Sequence, residues 1–139
     1  MDYVFVDETQ IEKSSVVRNL GFYFDEFLTL NHHATKLCQT IHLQLKNISR
    51  IRELLDTETT KLLIHSLVTS RLDYCNSLLF CIPKTCIKRL QKMQNKAARL
   101  ITKNPIRTNI IPILKELHWL STKLHAMFTI AFMTHRLIT

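Results

Sequence analysis

Between Ile82 and Arg107 the chain places eight basic residues, Lys84, Lys88, Arg89, Lys92, Lys96, Arg99, Lys103 and Arg107, and not one acid. Wound as an α-helix at about 100° per residue, the seven from Lys84 to Lys103 fall within an arc of about 140°. Cations one turn apart on one face match the need to contact several phosphates along a backbone, so the chemistry on offer is nucleic-acid contact. A plain solvated face is the bland use of such charge, yet solvated faces usually mix signs. An acidic protein or a lipid surface is the other anionic partner. No aromatic residue interleaves the seven cations. Base stacking is therefore not expected there, and binding should follow the backbone without regard to base sequence.

Other chemistries find less support. Cys75, Cys81 and Cys86 are separated by five and four residues, and none forms the Cys-x-x-Cys pair that sets two thiolates on one tetrahedral ion. His32, His33, His42 and His65 fall on expected helices and His118 sits beside Trp119; hydrogen-bonded or exposed imidazoles and small buried thiols are the default reading, with no metal site. No local Cys–His nucleophile signature is present. Among carboxylates, Asp25-Glu26 ends a strand and Asp73 lies mid-helix between Arg71 and Tyr74. The adjacent or strand-paired aspartates of two-metal catalysis are missing, and Asp73 reads as a structural hydrogen-bond acceptor. No catalytic residue, cofactor or small-molecule substrate is expected.

These side chains need a scaffold, and composition bounds it. The chain has 139 residues, 46% of them hydrophobic, which suits one helix-rich domain with a buried core. Its single glycine, Gly21, cannot build the glycine-rich turn that dinucleotide folds and phosphate-cradling loops require. The longest nearly apolar stretch, Ala126 to Met133, is too short to span a bilayer, and the N-terminus lacks a secretory leader pattern. The expectation is an intracellular protein, cytoplasmic or nuclear, with reduced cysteines and no membrane partner. Of the net charge of +8, the whole excess sits in the Ile82–Arg107 segment, since the other eleven basic residues balance the eleven acids. A localised excess argues for an anionic partner at one face.

The spacing of apolar residues supplies the elements. Tyr3–Val6 and Val16–Phe24 are rich in Val, Phe and Tyr around a polar Asp7–Ser15, which predicts a short antiparallel strand pair. From Ala34 to Leu55 the apolar period becomes three and four, broken only by Arg52, which predicts a long helix over 31–55. Asp56 and Thr57 can cap the next helix, whose apolar residues, among them Leu62, Ile64, Val68, Leu72 and Leu78, surround it and mark it as the central, most buried one. A third helix starts near Pro83 and ends at Asn104-Pro105. It would bury Ile87, Leu90, Met93, Ala97, Ala98, Leu100 and Ile101 opposite the cations. A short helix over 112–117 and a last one from Ser121 to about Leu137 follow. Trp119, with Leu117 and Leu120, is expected to pack against the main helices.

Four ordered blocks carry a resemblance: Val17-Arg18-Asn19-Leu20-Gly21-Phe22-Tyr23-Phe24-Asp25, Ser70-Arg71-Leu72-Asp73-Tyr74-Cys75-Asn76-Ser77-Leu78-Leu79, Arg89-Leu90-Gln91-Lys92-Met93-Gln94-Asn95-Lys96-Ala97-Ala98-Arg99, and Leu117-His118-Trp119-Leu120. From Val16 onward the chain resembles the region after the catalytic palm in reverse transcriptases of non-LTR retrotransposons, the jockey-like long interspersed elements. The resemblance implies that the strand ending at Leu20-Gly21 closes the palm, with Met1 to Lys13 at the palm's end, and that the helices form the thumb, which holds a template–primer duplex. It also implies that the family's metal-binding Ala-Asp-Asp turn lies upstream, so this chain would not polymerise by itself. Ser121 stands where relatives usually have proline, and Ile111 precedes Pro112 where a capping Thr or Ser is common; both departures should weaken local capping.

The resulting expectation is a mostly α protein, a helical bundle preceded by a short β-hairpin, with residues 1–27 as a palm-end remnant and 28–139 as a thumb-like domain. Its role would be sequence-independent binding of RNA or DNA backbone through Lys84, Lys88, Arg89, Lys92, Lys96, Arg99 and Lys103. The competing role is a helical protein-interaction module. Charges on the first helix, Lys36, Lys46 and Arg50, are expected to matter less.

Overall fold

A computed structural model describes residues 3–139. Two antiparallel hairpins precede the helices: β1 (Tyr3–Val6) pairs with β2 (Thr9–Glu12), and β3 (Val16–Asn19) with β4 (Phe22–Asp25). The anticipated pairing of Tyr3–Val6 with Val16–Phe24 is thus replaced by two local ones, since short loops cost least entropy to close. Leu20 and Gly21 both take positive φ, 48° and 84°, at the two-residue turn of the second hairpin; such primed turns match the twist of the flanking strands. That hairpin is fastened to the helices. Phe22 is buried and stacks on His33 with ring centroids 3.5 Å apart. The Tyr23 N–H donates to His33 Nδ1 (3.4 Å), and the Tyr74 hydroxyl donates to the Leu20 carbonyl (2.6 Å).

The Asp25 carboxylate organises the entry to the first helix. It accepts from the Phe27, Thr29 and Leu30 N–H groups and from the Thr29 hydroxyl. These bonds, the Thr29 backbone bond foremost, hold it below the ordinary carboxylate value. Helix α1 (Asn31–Ile51) then buries Ala34, Cys38, Ile41, Leu45 and Ile48 on one stripe.

Three further segments form one rod: α2 (Thr57–Ile64), a π-helical turn over His65–Thr69, and α3 (Ser70–Asp73). Asp56 caps it by accepting from the Thr59 N–H at 2.7 Å. Its buried side chains, Thr60, Ile64, Val68 and Leu72, recur every four residues. An ideal α-helix would drift such a stripe by about 40° per step. The wider π turn unwinds part of that drift and keeps the stripe on the core. Leu62 (66% exposed) faces outward and Leu78 (41% exposed) lies beyond the rod's end at Asp73, so this rod is not the central element that its apolar content suggested.

The centre is instead the pairing of α1 with α4 (Lys84–Thr102), which buries Cys86, Leu90, Gln94, Ala97, Ala98 and Ile101. The two helices run side by side in the same direction. At their starts the Cys86 thiol donates to Asn31 Oδ1 (2.7 Å), and further along the Arg89 guanidinium donates to Thr35 Oγ1 (3.1 Å). At their ends Arg52, only 5% exposed, donates from Nε to the Leu100 carbonyl (2.7 Å), from Nη2 to that of Ile101 (2.8 Å) and from Nη1 to that of Leu55 (2.9 Å). These include final carbonyls of α4, which lack partners within their own helix. The residue that breaks the apolar pattern of α1 is the one that joins the pair.

Helices α5 (Ile110–Glu116) and α6 (Thr122–Ile138) complete the chain. Asn109 caps α5 by accepting from the Ile111 N–H, and Ser121 caps α6 by accepting from that of Leu124. Both helices are therefore capped despite the departures at Ile111 and Ser121. Leu117 and Trp119 pack half-buried against the core, while Leu120 is 45% exposed.

Arg52→Met should lower stability to urea by about 3 kcal/mol, because each buried carbonyl left without a donor costs roughly 1–3 kcal/mol; an unchanged unfolding midpoint would remove the clamp. Burial depresses the His33 pKa, so the unfolded chain takes up that proton first, and stability is lost as pH falls through the ordinary imidazole value of about 6.5. Between about pH 7.5 and 5.5 the wild type should lose more stability than His33→Leu in parallel urea titrations.

Candidate nucleic-acid interface

The candidate interface lies on the face of α4 turned away from its buried stripe. Lys84, Lys88, Lys92 and Lys96 stand there one turn apart, all exposed. Among the described residues no carboxylate lies within ion-pairing distance of any of the four. The structure brings these four onto one face; of the other three, Arg89 and Lys103 are drawn aside, and Arg99 lines a hollow with Lys92 and Lys96 while bonding within the fold. Arg89 turns toward α1 and donates to Thr35. Arg99 is half-buried and donates from Nη2 to the Thr108 carbonyl at 3.2 Å, while its Nε is enclosed with no acceptor. Lys103 is outside the helix, in the left-handed conformation that ends it (φ 54°), and its Nζ lies 3.1 Å from Glu53 Oε2. The reason is local: the chain must turn out of the helix ahead of Pro105.

Packing adds a cation that the pattern along α4 does not contain. A groove of about 400 Å³ between the paired helices is lined by His42, Leu45, Lys46 and Ser49 of α1 and by Lys96 and Leu100 of α4. Lys46 thereby joins the basic face. Helix α1 carries Lys36, Lys46 and Arg50 and no acid, and α4 carries six cations and no acid. The two central helices together are free of carboxylate. A sequence signal for this exists in the acid-free run from Phe27 to Arg52, but its meaning depends on knowing that α1 lies beside α4.

A second hollow, about 390 Å³, opens at the C-terminal end of the ridge, where Lys92, Lys96 and Arg99 meet Asn95, Asn104 and Ile106 over Leu100. Elsewhere, His125 Nδ1 lies 3.0 Å from Asp73 Oδ1 and ties α6 to α3. Burial raises the Asp73 carboxyl above its usual range, offset in part by His125 and His65. The pair sits in a recess with His118, Trp119 and Phe128. Among the described residues no three His, Cys, Asp or Glu side chains are grouped as a metal ion requires, and no helix is long and apolar enough to cross a membrane.

Comparison with known proteins gives no assignment: no protein-family model matches the chain, and no curated protein or solved structure matches it significantly.

Proposed function

We propose that the chain binds the phosphate backbone of RNA or DNA, without sequence preference, along the face formed by Lys84, Lys88, Lys92 and Lys96 with Lys46 beside them. The observation that carries this reading is the run of exposed lysines at one-turn intervals with no carboxylate partner. Each ammonium group that neutralises a phosphate frees a cation condensed on the polyanion, and that release drives association. The ridge presents no ring on which a base could stack and no guanidinium free of protein partners, so contacts fall on phosphates. The likeness of the four sequence blocks to the thumb of retrotransposon reverse transcriptases supports the same reading. On that basis the chain is a remnant of such an enzyme that keeps duplex- or strand-holding surface and performs no phosphoryl transfer of its own.

A second reading, a protein-interaction module, is favoured by one observation. The outer face of α6 exposes Leu124, Phe128, Phe132 and Met133, each more than half accessible. A continuous apolar helix face of this kind fits a partner surface.

Fluorescence anisotropy against a labelled RNA hairpin and a DNA duplex across a salt series separates the two. Charge reversal of Lys88, Lys92 and Lys96 to Glu should abolish binding with helicity intact. Lys46→Glu should weaken binding and reduce the salt slope by about one, the change expected when one phosphate is no longer neutralised, and Lys36→Glu should do less. Wild-type affinity and slope in the triple variant would leave the interaction module as the surviving reading.

A further inference from the structure

The hollow at the C-terminal end of the ridge is lined by more than cations. It is lined by three cations, Lys92, Lys96 and Arg99, two amides, Asn95 and Asn104, and two apolar side chains, Leu100 and Ile106. A surface that only tracks phosphates has no use for the last four.

Several groups there have unused bonding capacity. Asn95 Oδ1 accepts from Gln91 Nε2, and Asn104 Nδ2 donates to Thr102 Oγ1. Neither the Asn95 amino group nor the Asn104 carbonyl oxygen has a protein partner among the described residues, so one donor and one acceptor remain at the hollow. The enclosed Arg99 Nε is a donor without an acceptor, so the fold leaves this guanidinium only partly satisfied. Ile106 is 87% exposed, a large apolar side chain left in water at the edge of a concave, partly polar site. At about 390 Å³ the hollow lies within the roughly 300–1,000 Å³ of small-molecule sites. That is far more than one phosphate needs.

We infer that this hollow seats one nucleotide unit of a single strand, its phosphate on Lys92, Lys96 and Arg99, its sugar and base against Asn95, Asn104, Leu100 and Ile106. The inference rests on the backbone-binding reading of the ridge and deepens it. In a duplex each base is held inside the stack, and only the phosphates reach the ridge. A single strand can swing one nucleotide into the hollow without breaking a base pair. The chain should therefore hold single strands more tightly than duplexes. Asparagine amides offer both a donor and an acceptor, so the preference is for strandedness and not for one base.

The test is fluorescence anisotropy of the full chain with labelled oligouridine, oligothymidine and blunt RNA and DNA duplexes of equal length. Wild type should bind at least one single strand more tightly than its duplex, and the tighter of the two identifies RNA or DNA as the source. Asn95→Ala combined with Ile106→Ala should reduce single-strand affinity by roughly fivefold, the order of one hydrogen bond, with duplex affinity and salt slope unchanged. Ile106 is exposed, so its truncation leaves the fold intact, and circular dichroism of the double variant verifies this. Equal wild-type affinity for strand and duplex would overturn the inference, as would equal losses for both in the variant, and in either case backbone binding would still stand. Absence of wild-type binding to all four probes would remove the backbone reading and the hollow with it.

Discussion

Arg52 holds the architecture together at a point where the hydrophobic effect alone would not. Two parallel helices of about twenty residues present their C-terminal ends side by side, and aligned helix dipoles place partial negative charge there twice over. Final carbonyls of α4, those of Leu100 and Ile101, would otherwise be buried without donors. A guanidinium delivers all its donors in one plane, and here three are spent on three carbonyls, two of α4 and one just past α1. A buried cation is costly in general unless it is paired and hydrogen-bonded, and the nearest charge, the Asp56 carboxylate, feels the guanidinium without bonding to it. At this site the helix ends supply the compensating charge.

That clamp, with the Cys86–Asn31 contact at the opposite end, fixes how α1 lies along α4 and hence which cations share a surface. Ala97 is buried in the core that α1 and α4 share, and a side chain this small lets the backbones approach closely. The lysines of α4 are left exposed, with Lys96 bordering the groove against α1, and no carboxylate among the described residues pairs with them. The same geometry divides the basic residues by task. Arg89, Arg99 and Lys103 bond to Thr35, Thr108 and Glu53, while the four lysines at one-turn intervals have no carboxylate partner among the described residues.

What the sequence makes legible is whatever depends on neighbours in the chain. The period of α1 and α4, the caps at Asp56 and Ser121, and the separation of lysines from the apolar arc are all local. The hidden features depend on tertiary partners. Leu20-Gly21 is a turn inside what looks like one β-rich run. Leu62 suggests burial that the rod's position does not provide, and Leu78, read with the same helix, lies past its end. Arg52 reads as a flaw in a pattern until the end of α4 is placed against it. Lys46 reads as a scattered surface charge until α1 is laid beside Lys96.

If one surface of the chain meets nucleic acid, lysine footprinting locates it directly. The folded chain is acetylated under limiting reagent with and without saturating oligonucleotide, and each lysine's reactivity is read by mass spectrometry. Protection should appear at Lys46, Lys88, Lys92 and Lys96, which share the α1–α4 face, and not at Lys13, Lys61 or Lys115. Unchanged reactivity along α4 with protection at Lys13, Lys61 or Lys115 would place the anion elsewhere and contradict the assignment of that face.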